Sequence, residues 1–379
     1  MRFLHISDLH LGKRLHETSL IEDQQAILNR ILEIVDGEKP DGVLIAGDIY
    51  DKSVPSAEAV QLFDDFLAGL ASRRLHVFII SGNHDSPERI AFGSRIMDAS
   101  GIHLSPVYDG RVKPVKLSDG YGEVNVYMLP FVKPAHVRRY YEDEEINSYS
   151  DAVNVAITHM DIDKTKRNIL VTHQFVTGAT RSESEESVGG TDNVDAKVFE
   201  DFDYVALGHL HGAQYCSEEK IRYSGTPLKY SFSEADDVKS VTILDLGEKG
   251  GELKIRTVQL TPLRDMKKIR GTFAELTDPN YYSGNPIVDD YLQITLTDEN
   301  DVLNAMNRLQ SVYKYALDLK YDNKRTRENA DIFGAEAAEK KTALELFTEF
   351  FKLQNNSEMS EKQKEYMKKL IEEIEEENV

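Results

Sequence analysis

The stretch that decides the fold reads His76-Val77-Phe78-Ile79-Ile80-Ser81-Gly82-Asn83-His84-Asp85. Its apolar, β-branched first half predicts one buried strand. Gly82 allows the backbone to turn sharply where that strand ends, so the side chains of Asn83 and His84 project beyond its carboxyl end. Ligands of open α/β sheets bind outside the carboxyl ends of the strands, and we therefore expect chemistry at this turn.

Two strands and two helices precede this stretch in alternation. Residues 2–6 and 42–46 are apolar and predict buried strands. The spacing of apolar residues predicts a helix from about residue 20 to residue 35, and a second helix that begins near residue 56. The resulting order β-α-β-α-β predicts an α/β fold with a parallel sheet and helical crossovers.

The rest of the chain continues to alternate between strand and helix patterns. The patterns predict a helix over residues 87–99, strands over residues 124–129, 169–172 and 204–207, hairpin-like strands between residues 221 and 260, strands over residues 267–269, 291–296 and 316–320, and a helix over residues 299–316. An acidic segment rich in serine and glycine, residues 177–193, is expected to be a surface loop.

The composition indicates a globular protein of two or three domains that acts in the cytoplasm. Of 379 residues, 40% are hydrophobic and 29% are charged, and no apolar stretch is long enough to predict a membrane span. The single cysteine, Cys216, excludes an intramolecular disulfide framework and a cysteine-rich zinc site. The formal net charge of −21 arises from local acidic runs and leaves basic clusters elsewhere, so it neither establishes nor excludes a DNA partner.

Five predicted strand ends carry polar side chains that are able to bind metal ions. In chain order they are Asp8 and His10, Asp48 and Asp51, Asn83 and His84, His173, and His209 and His211. Carboxylate, imidazole and amide ligands without a thiolate suit manganese, iron, zinc or magnesium. The number of candidate ligands is larger than one ion can coordinate, so the simplest arrangement is two ions that share a bridging carboxylate. Two metals about 3.5–4 Å apart are the usual device for in-line displacement at phosphorus.

These motifs, taken in order, resemble the calcineurin-like metallophosphoesterases. They are Asp-x-His at residues 8–10, Gly-Asp-x-x-Asp at 47–51, Gly-Asn-His-Asp at 82–85, a lone histidine at 173 and Gly-His-x-His at 208–211. The opening of the chain and residues 225–234 resemble, more narrowly, the SbcD family of bacterial nuclease subunits. The resemblance implies a two-sheet sandwich flanked by helices, a small α+β capping domain and a C-terminal helical tail.

The resemblance also implies a role for each candidate residue. It makes Asp8, His10 and His211 ligands of one divalent ion, Asn83, His173 and His209 ligands of the other, and Asp48 the bridging carboxylate. His84 is then the histidine that contacts the scissile phosphate and protonates the leaving oxygen, and Asp51 the partner that orients or charges it. Manganese is the metal that we expect at both positions.

The other histidines have no such motif and are expected to be structural or solvent-facing. They are His5, His16, His76, His103, His136 and His159. Thr158-His159 imitates Thr172-His173, but no buried strand precedes it. We therefore predict that His159 lies at a helix end or in a loop, and that His173 is the ligand.

Domains and partners follow from the same resemblance. It implies a nuclease domain at residues 1–262, a DNA-capping domain at 263–325 and a tail at 326–379. Two capping boxes in the tail, Thr342…Glu345 and Ser360…Gln363, predict two amphipathic helices that bind the coiled coil of an SbcC-type, SMC-like ATPase. DNA ends and hairpins are the implied substrates, and the implied homodimer would use helices near residues 56–72 or 87–99.

We weigh three functions. The first, which the resemblance implies and which we expect, is a DNA nuclease with 3′–5′ exonuclease activity on duplex ends and endonuclease activity on hairpins, in recombination and repair. The second is a small-molecule or cyclic-nucleotide phosphodiesterase, which would need neither the extra domain nor the tail. The third is a non-catalytic scaffold, which would have lost ligands, whereas none is missing here. The tail has an alternative as well, since it could fold back on its own nuclease domain.

Overall fold

A computed structural model of the chain describes residues 1–180, 193–324, 326, 347–352, 358–367 and 370. These residues form two compact units. The first comprises Met1–Lys268, Gly284–Gln293 and Gln310–Asp318, and the second comprises Ile269–Ser283, Ile294–Leu309 and the described part of Leu319–Val379. Within this part of the chain, no helix is long and apolar enough to cross a membrane.

The regular elements follow the predicted alternation of strand and helix. The strands are β1 Arg2–Ile6, β2 Arg14–Leu15, β3 Thr18–Ser19, β4 Gly42–Ala46, β5 His76–Ile80, β6 Ile102–Leu104, β7 Val115–Asp119, β8 Gly122–Leu129, β9 Arg167–His173, β10 Phe175–Val176, β11 Asn193–Val194, β12 Tyr204–Gly208, β13 Gln214–Cys216, β14 Glu218–Tyr223, β15 Ser240–Leu246, β16 Leu253–Gln259, β17 Met266–Gly271, β18 Tyr291–Leu296 and β19 Ala316–Tyr321. The α-helices are α1 Ile21–Glu38, α2 Ala57–Ser72, α3 Pro87–Ile90, α4 Ser94–Met97, α5 Pro134–Arg138, α6 Tyr149–Thr158, α7 Phe273–Leu276, α8 Pro279–Tyr282 and α9 Ala305–Gln310. Short 3₁₀ turns occur at Asp98–Ser100, Ala196–Phe199, Phe232–Glu234 and Pro286–Asp289, and residues 347–352 and 361–367 are also helical.

Two six-stranded sheets make up the first unit. One has the order β16-β15-β1-β4-β5-β6, in which β1, β4, β5 and β6 are parallel and β15 and β16 are antiparallel. The other has the order β13-β14-β12-β9-β8-β7, with β14, β12, β9 and β8 parallel and the two edge strands antiparallel. The predicted parallel sheet with helical crossovers is confirmed.

The two sheets pack face to face, and helices cover their outer faces. Phe3 and Phe78 of the first sheet lie with Val126 and Tyr204 of the second in one buried apolar layer. Helices α1 and α2 cover the outer face of the first sheet, and α6 covers that of the second. Removal of this apolar surface from water is the main source of stability of such a layered fold. The predicted two-sheet sandwich is therefore confirmed.

Several predicted elements differ from those observed. The prediction of one helix over residues 87–99 is wrong. Gly93 adopts a φ of 76° and separates two short helices, α3 and α4. The helix expected over residues 299–316 shortens to α9, which begins after Asn304 at a φ of 51°. The strand near residue 221 is not part of a hairpin with its successors, since β14 belongs to the second sheet and β15 to the first.

The second unit is a small α+β assembly around its own apolar residues. Its buried side chains include Ile269, Leu276, Ile294, Leu296 and Leu309. The strands β17, β18 and β19 form one three-stranded sheet. In the tail, the Gln363 side chain accepts the backbone N–H of Ser360 at 2.9 Å, as a capping box requires. The other predicted box, Thr342…Glu345, lies outside the described residues.

Candidate metal centre

The turns that follow β1 and β4 are hydrogen-bonded to each other. The Asp8 N–H donates to the Gly47 carbonyl and the His10 N–H to the Asp48 carbonyl, both at 3.0 Å. Asp8, His10 and Asp48 have φ angles of 53°, 43° and 49°. L-residues rarely adopt this left-handed region, and such strain concentrates at functional sites. The two turns therefore hold three predicted ligands in fixed, strained conformations.

Glycines allow the strand ends of the two sheets to approach closely. A Cβ on Gly208, at the end of β12, would overlap the Ala46 carbonyl oxygen of β4 and lie 2.6 Å from His173 Nδ1. A Cβ on Gly82 would lie 2.5 Å from the Asp48 nitrogen. Both distances are shorter than any real contact of a Cβ, so only glycine permits this packing. All five predicted turns meet at this edge of the sandwich.

Asp48 lies at the middle of the assembled turns. Its Oδ2 is 3.3 Å from His173 Nε2 and 3.8 Å from His10 Nε2, and its Oδ1 accepts the His84 N–H at 2.9 Å. Among the described residues it belongs to two candidate ligand groups, one with Asp8 and His173 and one with His10 and His84, each with ligand atoms within 4.8 Å of one another. A carboxylate common to two groups is the arrangement that a bridging ligand needs.

Asn83, His173 and His209 converge on one point. The Asn83 Oδ1 lies 2.9 Å from His173 Nε2 and 2.9 Å from His209 Nδ1. His173 Nδ1 donates to the Ala46 carbonyl at 2.8 Å, so a neutral His173 presents its Nε2 lone pair to the amide oxygen. Two electron-rich atoms repel each other at this distance unless a proton or a cation lies between them. This group fits a metal ion.

The environment of His10 is the clearest indication that the centre binds a metal cation. The residue is buried, and neither ring nitrogen has a hydrogen-bond partner in the described part of the chain. Burial lowers the pKa of His10 well below its ordinary value, so the ring is neutral and carries a free lone pair. An unpaired polar group in the interior costs free energy, and coordination of a metal would remove that cost.

The electrostatics of the centre also favour a cation. Burial raises the pKa of Asp8 to about 6. Burial alone would lower the pKa of His173, but the adjacent Asp48 carboxylate outweighs it and raises this pKa to about 9. Burial opposes the ionised form of Asp48 in turn, and the His173 and His10 imidazoles overcome that penalty and hold its pKa below the usual range. A divalent cation bound among these carboxylates and imidazoles would displace protons from them and favour their ligand forms.

His84 is the exposed imidazole of the centre. Its Nδ1 lies 3.0 Å from the backbone carbonyl oxygen of Asp51. A carbonyl only accepts, so Nδ1 donates and Nε2 is left for a substrate. The Asp51 carboxylate does not contact His84 but pairs with Lys13 Nζ at 2.8 Å. Asp51 therefore orients His84 through its main chain.

Some residues that shape the centre were not assigned a role from the sequence. Asp85 is buried and accepts the N–H groups of Gly82 at 2.9 Å, Ile49 at 3.1 Å and Tyr50 at 3.0 Å, which ties the turn after β5 to the turn after β4. The position of Asp85 in the Gly-Asn-His-Asp motif is the sequence feature from which this role could have been predicted. Glu234, the buried partner of His211, ends the segment 225–234 that carries the narrower family resemblance, but the resemblance assigned it no role.

The histidines outside the motifs lie away from the converging ligands. His159 is the C-cap residue of α6 and stacks on Tyr141 with ring centroids 4.1 Å apart, so its predicted helix-end position is confirmed. His5 is buried and pairs with Tyr204, and His76 and His103 stack on each other at the far ends of β5 and β6. Burial raises the pKa of the Cys216 thiol to about 11, which suits an inert core residue.

Comparison with known proteins is consistent with this geometry. A family model described as calcineurin-like phosphoesterase matches residues 1–213, and one described as the type 5 capsule protein repressor C-terminal domain matches residues 262–355. The solved structure of a dimetal phosphatase from Danio rerio covers 68% of this chain and 98% of its own, at 12% identity and a TM-score of 0.38.

Curated relatives match nearly the whole chain. The D subunit of the nuclease SbcCD from Staphylococcus epidermidis is 31% identical over 379 residues, which covers 98% of each chain. The protein of the same name from Staphylococcus saprophyticus is 34% identical over 324 residues, or 84% of each chain. The chain therefore belongs to the calcineurin-like phosphoesterases and, within them, to the SbcD family of nuclease subunits.

Proposed function

We propose that this chain is a nuclease subunit that hydrolyses DNA phosphodiesters at a centre for two divalent metal ions. The observation that carries the proposal is the position of Asp48 in both ligand groups, beside a buried His10 whose ring nitrogens have no hydrogen-bond partner among the described residues. The proposed ligands are Asp8, His10, Asp48, Asn83, His173, His209 and His211. Two ions bound there would acidify a water and offset negative charge on the phosphodiester.

The protein side chains of the proposed mechanism have separate tasks. The ligands are buried or half-buried apart from Asn83, which faces the solvent together with His84 where a DNA strand could enter. The Asp51 carbonyl fixes the ring of His84 through Nδ1, and Nε2 can then protonate the leaving oxygen. Asp48 and Asp8, held by backbone donors, keep the ligand geometry before substrate arrives.

Manganese is the metal that we propose for both positions. The ligand set consists of carboxylate and amide oxygens with imidazole nitrogens, and this mixture suits manganese although iron and zinc also accept it. No thiolate takes part, since Cys216 is buried in the apolar layer outside the second sheet.

The names of the relatives support the substrate and the partner. They are called the D subunit of a nuclease, SbcCD, so we propose an SbcC-type, SMC-like ATPase as the partner of this chain. We further propose 3′–5′ exonuclease activity on duplex ends and endonuclease activity on hairpins, in recombination, replication and repair. The cytoplasm, where chromosomal DNA is found in bacteria, is the proposed location of this activity.

The helical tail is the proposed binding site for the ATPase. Phe350 and Tyr366 lie in its helical segments and are 54% and 68% exposed. Exposed aromatic side chains on short amphipathic helices are suited to the groove of a coiled coil. Deletion of residues 342–379 should abolish co-purification with the ATPase and leave metal-dependent hydrolysis of a small phosphodiester intact.

We also propose that the chain forms a homodimer through residues 87–99. Phe92 and Ile96, on either side of the break at Gly93, are 83% and 81% exposed, and large apolar side chains exposed this close together favour a protein–protein contact. Light scattering of a Phe92→Asp, Ile96→Asp double variant should report half the mass of the wild type. An unchanged mass would exclude this surface.

Substrate choice tests the proposed function. Metal-free protein supplied with manganese should degrade end-labelled duplex DNA, while a cyclic nucleotide should remain intact. Hydrolysis of a small phosphodiester dye and a cyclic nucleotide without any cleavage of DNA would favour the phosphodiesterase instead. Absence of all three activities with two ions bound, also in the presence of the ATPase, would favour the scaffold.

A further inference from the structure

Glu234 is a fully buried carboxylate directly behind the proposed ligand His211. Its Oε1 lies 3.0 Å from His211 Nδ1, and its Oε2 lies 2.7 Å from Lys239 Nζ. Each of its two carboxylate oxygens therefore has a buried donor, the His211 imidazole on one and the Lys239 ammonium on the other. A carboxylate placed in this way makes a strong hydrogen bond to an imidazole N–H.

Lys239 joins this carboxylate to the backbone of the same ligand. Its Nζ donates to the His211 carbonyl oxygen at 3.0 Å as well as to Glu234, and to Asp237 at 3.1 Å. The Thr226 N–H donates to the same His211 carbonyl at 3.0 Å. The segment from Gly225 to Lys239 therefore fixes both the ring and the main chain of His211.

The same segment supports His10. The Tyr230 hydroxyl donates to the Leu9 carbonyl, and its ring meets the His10 ring edge-on at a centroid distance of 5.7 Å. Gln24 of α1 donates to the His10 carbonyl at 2.7 Å and to the Tyr230 hydroxyl at 3.1 Å. His10 and His211 are ligands that we assign to one and the same ion, so the segment supports one side of the centre.

The opposite side of the centre is held by different groups. His173 Nδ1 donates to the Ala46 carbonyl of β4 at 2.8 Å. The Asn83 turn is held by Asp85 through the Gly82 N–H at 2.9 Å. Both supports come from the strand ends of the sandwich, and the Gly225–Lys239 segment provides neither of them.

We propose that Glu234 is a positioning residue for His211, and that the segment Gly225–Lys239 sets the affinity of only one of the two ions. The inference rests on the proposed two-metal function. Glu234 accepts a hydrogen bond from the Nδ1–H group of His211. This bond fixes the tautomer in which Nε2 is free to bind the metal, and it makes Nε2 a stronger ligand. Loss of such a partner typically weakens metal binding about 10- to 100-fold.

The experiment compares manganese binding by Glu234→Gln, by wild type and by a matched control. Asp236→Asn makes the same carboxyl-to-amide change two residues away, on an exposed side chain. Equilibrium dialysis counts the ions, and electron paramagnetic resonance distinguishes a coupled pair of manganese ions from a single ion. Wild type and Asp236→Asn should bind two ions and show the coupled signal.

Glu234→Gln should bind one ion with the wild-type affinity and the second about 10- to 100-fold more weakly. The coupled signal and the cleavage of DNA should then return at high manganese. Retention of the first ion shows that the variant is folded. Two ions bound with wild-type affinity would overturn the inference, and so would an equal loss of both ions.

A second variant distinguishes the loss of positioning from a folding defect caused by Glu234→Gln. Glu234→Asp keeps the charge but withdraws the carboxylate from His211, so the affinity for the second ion should fall in the same way. If Glu234→Asp binds both ions as tightly as wild type, the positioning role is wrong. If wild type itself fails to bind two ions, the proposed function fails, and the two failures are thus distinguished.

Discussion

Several residues of the candidate metal centre adopt unfavourable backbone conformations, which hydrogen bonds of the surrounding turns stabilise. Asp8, His10, Asp48 and His209 all have positive φ angles. Each such residue costs on the order of 1 kcal/mol or more. The backbone bonds between the first two turns, and the bond from the His209 N–H to Asp8 Oδ1 at 3.0 Å, maintain these conformations. The proposed ligands are therefore held in place before an ion arrives, which keeps the cost of binding low.

His84→Gln tests the role of the exposed imidazole. We expect DNA cleavage to fall roughly 10²- to 10⁴-fold, because glutamine cannot supply a proton to the leaving oxygen. Both ions should stay bound, since we assign His84 to proton transfer rather than ligation. The measurement is a cleavage assay with metal analysis of the same samples.

His159→Gln is the matched control for that experiment. His159 is exposed at the end of α6 and outside the centre, so its variant should cleave DNA at the wild-type rate. A His84→Gln protein that has lost one ion would instead make His84 a ligand, as its position with His10 and Asp48 in one candidate group would allow.

His5 makes the stability of the sandwich depend on pH. It is fully buried and its Nδ1 lies 2.9 Å from the Tyr204 hydroxyl, which links the first sheet to the second. Burial, with the Arg222 charge, lowers the pKa of His5 to about 3. The unfolded chain takes up a proton near pH 6.5 and the folded chain does not, so stability is lost as pH falls below about 6.5.

A His5→Asn variant isolates this contribution. Its free energy of unfolding should be lower than that of wild type at pH 7.5. The gap should narrow by about 1.4 kcal/mol for each pH unit between pH 6 and pH 4, because asparagine does not titrate. Urea unfolding of the metal-free proteins measures both. A gap that stays constant with pH would contradict the buried neutral state of His5.

At the scale of elements, the centre depends on strands that end within contact distance of one another. Gly208→Ala should abolish two-metal binding and destabilise the protein, since its Cβ would overlap the Ala46 carbonyl and crowd His173. Overpacking of this kind typically costs about 1–3 kcal/mol. Thermal unfolding and metal counting would measure the effect.

Gly120→Ala serves as the control for the same substitution. A Cβ there would meet nothing within 4 Å, and the turn before β8 does not require a positive φ at this position. This variant should unfold and bind metal like wild type. Equal behaviour of Gly208→Ala and Gly120→Ala would mean that the strand ends have room for a Cβ at Gly208.

Local patterns in the sequence predicted most elements of the sandwich but not how strands pair. The runs that became β1, β4, β5, β9 and β12 are apolar and β-branched, so burial could be inferred from them alone. The pairing of β14 with β12 depends on contacts between distant residues, and no local pattern encodes it. The break at Gly93 was missed because an isolated glycine is tolerated in many helices.

At the scale of the whole molecule, the candidate metal centre could be predicted from the sequence where a motif directly follows a predicted strand. Asp8 and Asp48 could be placed together because the carboxyl ends of parallel strands meet at one edge of a sheet, whereas His173 ends a strand of the second sheet and was placed with them through the family resemblance. The roles of Glu234 and Gln24 could not be predicted, because a polar residue that supports a ligand has no signal until the partner that it contacts is known; the resemblance of residues 225–234 gave Glu234 no role.

The most direct measurement of the central claim is a manganese titration of metal-free protein in which bound ions and DNA cleavage are followed in the same samples. We predict that duplex DNA degradation rises as the second equivalent binds and is absent without metal. An Asp48→Asn protein, which lacks the proposed shared carboxylate, should bind at most one ion tightly and remain inactive. Full cleavage without metal, or full cleavage by Asp48→Asn, would contradict a two-metal nuclease built around Asp48.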